Sequence, residues 1–180
     1  MLAVRYPGCG RGFTSIELMT VLSIVLILLA VGVPSFYYLI QSQRITTAAN
    51  DLFSAINLTR SEAIQRGTRV DLMPADGTDW ARGWVVFIDS NRNRKPDTED
   101  QILFAHGPVS GSIVIRSSFT DSSVPYLAYN ASGRSRTHAN SQAPQLGTIS
   151  LTLDEHVREI KLNFLGRPRV CNPAASKSAC

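Results

Sequence analysis

The rhythm of hydrophobic and polar positions changes twice along this chain. Residues 18–43 form a run of 26 without a charge, and 18–40 is mostly Leu, Val and Ile. At about 1.5 Å per residue, roughly 20 such residues cross a hydrocarbon core, so the run predicts one membrane-spanning helix. Beyond it Ile45, Ala48, Ala49, Leu52, Phe53, Ile56, Ala63 and Ile64 recur at three- and four-residue spacings. Arg44, Asp51, Arg60, Glu62 and Arg66 stand between them, which makes an amphipathic helix with Gly67 as its natural stop. Taken as one helix over residues 13–66, the element would be 54 residues and about 80 Å long. Pro34 removes one backbone donor and should kink it.

After Gly67 the period shortens. Residues 69–73, 83–89, 101–105, 113–119, 126–129, 148–153 and 157–164 are β-prone runs separated by Gly, Pro, Asn, Asp and Ser. Ile149, Leu151 and Leu153, then Ile160, Leu162 and Phe164, alternate with polar residues as half-buried antiparallel strands should. Asp154-Glu155-His156 connects these two runs as a hairpin. The fold class is α+β: a long N-terminal helix, transmembrane and then amphipathic, packed on a small antiparallel two-sheet β-domain. No internal repeat is evident.

Composition narrows the class. Charged residues make up 18% of the 180, and Gly and Pro number only 12 and 9, which excludes a charge-rich disordered chain and a collagen-like one. Three cysteines exclude a disulfide-dense miniprotein. The net charge of +4 is too mild to announce nucleic-acid binding, but it is unevenly spread. Residues 69–100 hold five basic and seven acidic residues, whereas 130–180 hold seven basic and three acidic. The first twelve residues, MLAVRYPGCGRG, carry Arg5 and Arg11 and no acid. Such a flank stays in the cytoplasm, so the bulk of the chain should face the other side. The sequence after Val31 offers no A-x-A-like site, and the apolar segment is expected to be retained. Glu17 opens the run: near the headgroups its cost is small, but unpaired in lipid it costs about 2.5 kcal/mol or more.

Gly12-Phe13-Thr14-Ser15-Ile16-Glu17-Leu18 resembles the type IV pilin processing site, in which a short basic leader ends in Gly and is followed by Phe, by Glu at the fifth mature position and by the apolar helix. The resemblance implies that a prepilin peptidase cuts between Gly12 and Phe13 and that the new Phe13 amine is N-methylated. It implies too that Glu17 neutralises the terminal amine of a neighbouring pilin, a pairing tolerable in an apolar bundle only when both charges are present. The corresponding segments are a leader (1–12), the transmembrane or filament-core half of the helix (13–40), its amphipathic half (41–67), a β-rich pilin domain (68–165) and a tail (166–180). The protein would sit first in a bacterial inner membrane with its domain periplasmic, and later in a cell-surface pilus among major and minor pilins. WVVFIDSNRNRKPDTEDQIL resembles a strand-loop-strand segment of FimT-type minor pilins and GspH-type pseudopilins.

Within that segment Asp89, Asn91, Asn93, Asp97, Glu99 and Asp100 space their oxygens as a calcium loop does. Arg94, however, stands where the sharp turn wants Gly, Asp100 replaces the long bidentate Glu, and Arg92 and Lys95 add positive charge. The segment therefore reads as a polar turn closed by Asp and Asn, and no metal is assigned. His106, His138 and His156 are scattered, and no HxxxH, CxxC or G-x-S-x-G spacing appears. No catalytic residue, enzymatic activity or cofactor is expected.

At the C-terminus, Cys171 and Cys180 would face an oxidising compartment and can form a disulfide holding the end of the chain as a compact loop, while Cys9 belongs to the leader. Gly166 permits an unusual backbone angle, and Pro168 pushes Arg167 into an extended conformation. Arg167 and Arg169 then point the same way, roughly 6 to 7 Å apart, as two forks for successive phosphates. Gly166-Arg167-Pro168-Arg169 is similar to the G-R-x-R tail motif of FimT-type minor pilins. That similarity implies binding of extracellular double-stranded DNA, without sequence preference, for uptake in natural transformation. Arg134 and Arg136 carry a second Gly-Arg-x-Arg pattern and, with Arg158, Lys161 and Lys177, could complete one basic surface. A minor pseudopilin of a type II secretion system and a pilus adhesin are the alternatives. The GRPR tail and the basic C-terminal third separate these readings, being expected for DNA uptake and not required for a secretion pseudopilus.

Overall fold

The computed structural model describes residues 12–109 and 111–175. Helix α1 spans Ser15–Arg66. It starts two residues later than the periodicity predicts because Thr14 caps it: the Thr14 hydroxyl accepts from the Glu17 amide (3.3 Å), and the Glu17 carboxylate accepts from the Thr14 amide (3.1 Å). The helix runs through Pro34 without ending and stops at Gly67, whose φ is 65°.

The chain divides after Ile40 into two units. In the first, α1 is long and apolar enough to cross a membrane, and its Leu, Val and Ile side chains are exposed. In the second, the helix buries Ile45, Ala48, Ala49, Leu52, Ala55, Ile56, Thr59 and Ala63, the stripe expected of a 3.6-residue period.

Two antiparallel sheets complete the second unit. The first contains β1 (Val70–Pro74), β2 (Trp84–Ile88), β3 (Gln101–His106), β5 (Leu127–Tyr129) and β6 (Ser135–Arg136), in the order β3-β2-β1-β5-β6. The second contains β4 (Val114–Phe119), β7 (Gly147–Leu153), β8 (His156–Leu162) and β9 (Pro168–Cys171), in the order β4-β7-β8-β9. Leu52 and Ile56 of the helix share one core with Leu72, Trp84, Val86 and Leu127 of the first sheet and with Ile149, Leu151 and Ile160 of the second. Each such aliphatic side chain stabilises the fold by about 1.5–3 kcal/mol when fully buried.

Two strands depart from the pattern-based reading. β6 is only two residues long, and β9 occupies what reads as the start of a free tail. β9 pairs with β8 in the register Leu162↔Pro168, Lys161↔Arg169, Ile160↔Val170 and Glu159↔Cys171. Pro168 is tolerated because it is the first residue of an edge strand. Correspondingly β8 ends at Leu162 and not at Phe164, since Asn163 opens the turn that leads into β9.

The 89–100 segment is a closed polar turn. The Asp89 carboxylate accepts from the amides of Asn93 (3.1 Å) and Arg94 (2.8 Å), and that of Asp100 accepts from the amides of Ser90 (2.9 Å) and Asp97 (3.1 Å). Arg94 stands at φ 61° and its guanidinium donates to the His138 carbonyl, tying this turn to the strand-end segment after β6.

Candidate nucleic-acid interface

Two turns of the same construction carry the arginines singled out from the sequence. In the first, Gly133 N donates to Asn130 O (2.8 Å) and Asn130 N to Arg134 O (3.1 Å), while Asn130 Oδ1 accepts from the amides of Ser132 (3.2 Å) and Arg134 (3.0 Å). In the second, Gly166 N donates to Asn163 O (2.9 Å) and Asn163 N to Arg167 O (3.3 Å), while Asn163 Oδ1 accepts from the amides of Leu165 (3.0 Å) and Arg167 (2.9 Å). Gly133 and Gly166 stand at φ 69° and 73°. Each is a three-residue hairpin loop whose last position demands a left-handed residue. The sequence behind both is Asn-x-x-Gly-Arg-x-Arg, a short repeat starting at 130 and at 163, where the sequence reading found none. In each copy the first arginine immediately precedes the returning strand, and the second, two residues on, lies within it with the same parity. Arg167 and Arg169 are both exposed, as the extended-segment reading requires.

The turns touch. A Cβ at Gly166 would lie 2.7 Å from Ser135 N, 2.9 Å from Tyr129 Cε1 and 3.3 Å from Gly133 O, so the glycine of one motif rests on the backbone of the other. Tyr129 also donates its hydroxyl to Gly166 O at 2.7 Å. Covalent geometry then limits the Cα separation of Arg134 and Arg167 to at most about 10 Å. The helix contributes a further cation: Arg60 Nε lies 3.2 Å from where a Gly133 Cβ would be. Sequence reading placed Arg60 only on the polar face of an amphipathic helix, and its i, i+4 neighbour Ile64, which reaches the same glycine, is the one hint that this face meets the turn.

The outer face of the second sheet extends the cationic surface. Arg169 lies opposite Lys161, and the pairing register puts Arg116 of β4 on the same face. Glu159 is there too, 3.5 Å from Lys161 Nζ. Arg158 does not join them, because it shares the parity of Ile160 and Leu162 and its guanidinium donates to Val157 O (2.9 Å). Arg136 is half-buried: Nη1 donates to Ser135 O (3.1 Å), while Nε is buried with no partner among the described residues. Burial, then the charges of Arg134 and Arg69, push its pKa below the ordinary guanidinium value. A bound anion would relieve that repulsion.

The remaining sequence-derived sites lie elsewhere. Gly12 and Phe13 are exposed and precede the helix in irregular backbone, and Glu17 is part of the helix cap. Cys171 is disulfide-bonded and sits two residues beyond Arg169 on β9, whereas Lys177 and Cys180 lie outside the described residues.

An apolar N-terminal helix that continues into the core of a domain with two antiparallel sheets defines a type IV pilin-like subunit. The fold is that of the type IV minor pilin FimU of Pseudomonas aeruginosa, at a TM-score of 0.59 and 16% identity, covering 73% of this chain and 91% of that one. It is also that of EpsH, the minor pseudopilin of the Vibrio cholerae type 2 secretion system, at a TM-score of 0.51 and 13% identity, covering 72% and 98%. Residues 48–166 match the family described as type II transport protein GspH, and the chain belongs to that family of minor pilin-like proteins. The pilin-like protein PilA1 of Thermus thermophilus is 34% identical over 98 residues, which are 53% of this chain. The chain spans 59% of the length of that relative. The family match closes at Gly166, so Arg167 and Arg169 fall just outside it.

Proposed function

We propose that this protein is a minor pilin of a type IV pilus that binds extracellular double-stranded DNA where the two glycine turns meet, and that it serves DNA uptake in natural transformation. The observation that carries the reading is the seating of Gly166 on the Gly133–Ser135 backbone, which brings two Gly-Arg-x-Arg motifs together. Over about 10 Å of its axis a duplex presents about six phosphate charges, enough for Arg134, Arg167 and Arg169 to engage together. Guanidinium forks on short hairpins suit bidentate contact with phosphate oxygens. Phosphate contacts carry no base identity, so binding is indifferent to sequence and sensitive to salt.

A mobility-shift titration of the full chain in non-ionic detergent, run at several salt concentrations, tests this. Three arginine contacts give a slope of log affinity against log salt of about −2.7, and replacing Arg167 and Arg169 by Gln brings it to about −0.9 with at least a tenfold loss of affinity. An unchanged slope in the double variant removes the β9 assignment. No binding at moderate salt favours the other reading, a pseudopilus subunit acting only as a filament part, which the fold shared with EpsH supports.

Assembly follows the pilin route in this proposal: insertion in the inner membrane, peptidase cleavage between Gly12 and Phe13, methylation of Phe13, pairing of Glu17 with a neighbouring amine, and closure of a Cys171–Cys180 loop. The exposure of Gly12 and Phe13 ahead of the helix supports access by a protease. Glu17→Ala should be cleaved normally and recovered less in sheared filaments, as judged by immunoblot. Recovery equal to wild type would exclude the pairing role.

A further inference from the structure

The two turns share a backbone and differ at their tips. Ala131 and Ser132 fill the first two loop positions of one, as suits a solvated turn, whereas Phe164 and Leu165 fill those of the other. Phe164 is 58% exposed and Leu165 44%, and exposed Arg167 follows two residues after Leu165. The Asn163 side chain, which accepts from the amides of Leu165 and Arg167, holds this tip in one conformation. A rigid apolar tip beside guanidinium groups complements a ligand that is anionic along its backbone and offers flat apolar faces: DNA whose bases have left their stack. Inside a perfect duplex both faces of each base are covered, so Phe164 has nothing to meet there without unstacking a step.

We propose that Phe164, backed by Leu165, stacks on an exposed base, so that single-stranded overhangs and frayed ends are held more tightly than duplex interior. The inference rests on the DNA-binding reading above and specifies which part of a DNA molecule the site takes. Arg167 and Arg169 hold the phosphates beside the captured base, with Arg134 on the turn that Gly166 touches and Arg60 Nε 3.2 Å from where a Gly133 Cβ would be.

The test is fluorescence anisotropy with the full chain in detergent and two labelled DNAs. One is a duplex closed by hairpins at both ends, and the other is the same duplex with an overhang of about ten nucleotides, within the size of one single-strand site. The overhang should bind about tenfold more tightly. Phe164→Ser should abolish that difference and leave the closed duplex unaffected, Phe164→Tyr should preserve it, and Arg167→Gln with Arg169→Gln should weaken both DNAs together. Because Phe164 lies at an exposed tip, the thermal unfolding of the Ser variant should match wild type. Equal affinities in wild type, or a preference that survives Phe164→Ser, overturn the inference while DNA binding stands, and leave the tip to a protein neighbour or a lipid surface. Binding of neither DNA removes the DNA reading and this inference with it.

Discussion

Replacing Gly166 by Ala should destabilise the globular unit by about 3 kcal/mol, whereas the same change at Gly133 should cost about 1–2 kcal/mol. The two glycines occupy equivalent turns at nearly the same φ, 73° and 69°, so the left-handed penalty is common to both. Their surroundings differ. A Cβ at 166 would stand 2.7 Å from the backbone nitrogen of Ser135 and 2.9 Å from the ring of buried Tyr129, neither of which can swing aside. A Cβ at 133 would meet Ile64 Cδ1 at 2.7 Å and Arg60 Nε at 3.2 Å, the ends of side chains that can adopt other rotamers. Urea unfolding followed by the fluorescence of buried Trp80 and Trp84 measures both values in one series. Equal losses for the two variants would show that the turns are not in contact.

The same substitution separates geometry from charge. Gly166→Ala keeps every arginine but pushes β9 away from the Asn130 turn. DNA affinity should therefore fall even under conditions where the variant is fully folded. A retained affinity would mean that Arg167 and Arg169 act without Arg134.

The sequence made much of this legible, and for identifiable reasons. The stripe Ile45, Ala49, Leu52, Ile56 and the alternations in β7 and β8 are periodic signals, and the structure buries those positions. β6 and β9 carry no such signal: one is two residues long and the other begins with Pro168. Both exist because an Asn-x-x-Gly turn reverses the chain just before them, so turn chemistry was the informative feature and hydrophobic periodicity was not. Arg167 and Arg169 could be singled out by spacing. Their proximity to Arg134 depends on one glycine touching a backbone that is remote in sequence, and the contribution of Arg60 depends on which side of the helix meets that turn. Neither is written in local pattern. Asp71 was equally silent: it lies on the face of β1 opposite Leu72, and what makes that face internal is a separate small cluster of Met73, Phe87, Tyr126 and Ala128, drawn from three strands and the segment before β5.

That buried acid should give the other large effect: Asp71→Ala should cost about 3–5 kcal/mol at neutral pH, the usual consequence of removing one member of a buried ion pair. Asp71 is fully buried, and its Oδ1 accepts from Arg69 Nε at 2.9 Å and from the Tyr126 hydroxyl. Arg69 is three-quarters buried and also donates to Tyr126 Oη (3.0 Å) and to the Thr137 carbonyl (3.2 Å), so the cluster ties β1 to the segments on either side of β5 and β6. Truncation leaves that guanidinium without its counter-charge. Asp71→Asn keeps an acceptor and should cost less. It also isolates the pH dependence. Burial raises the Asp71 pKa above the ordinary carboxylate value, against the opposing pull of Arg69 and its hydrogen bonds, and Oδ2 has no partner among the described residues. The folded state therefore binds this proton more readily than the unfolded one. Its contribution to stability falls as pH rises from the ordinary carboxylate range through the raised value. The wild type should accordingly gain on Asp71→Asn as pH drops through that window, in urea unfolding measured at a series of pH values. A gap that shrank on acidification would mean that the Arg69 charge, and not burial, governs the titration of this carboxylate.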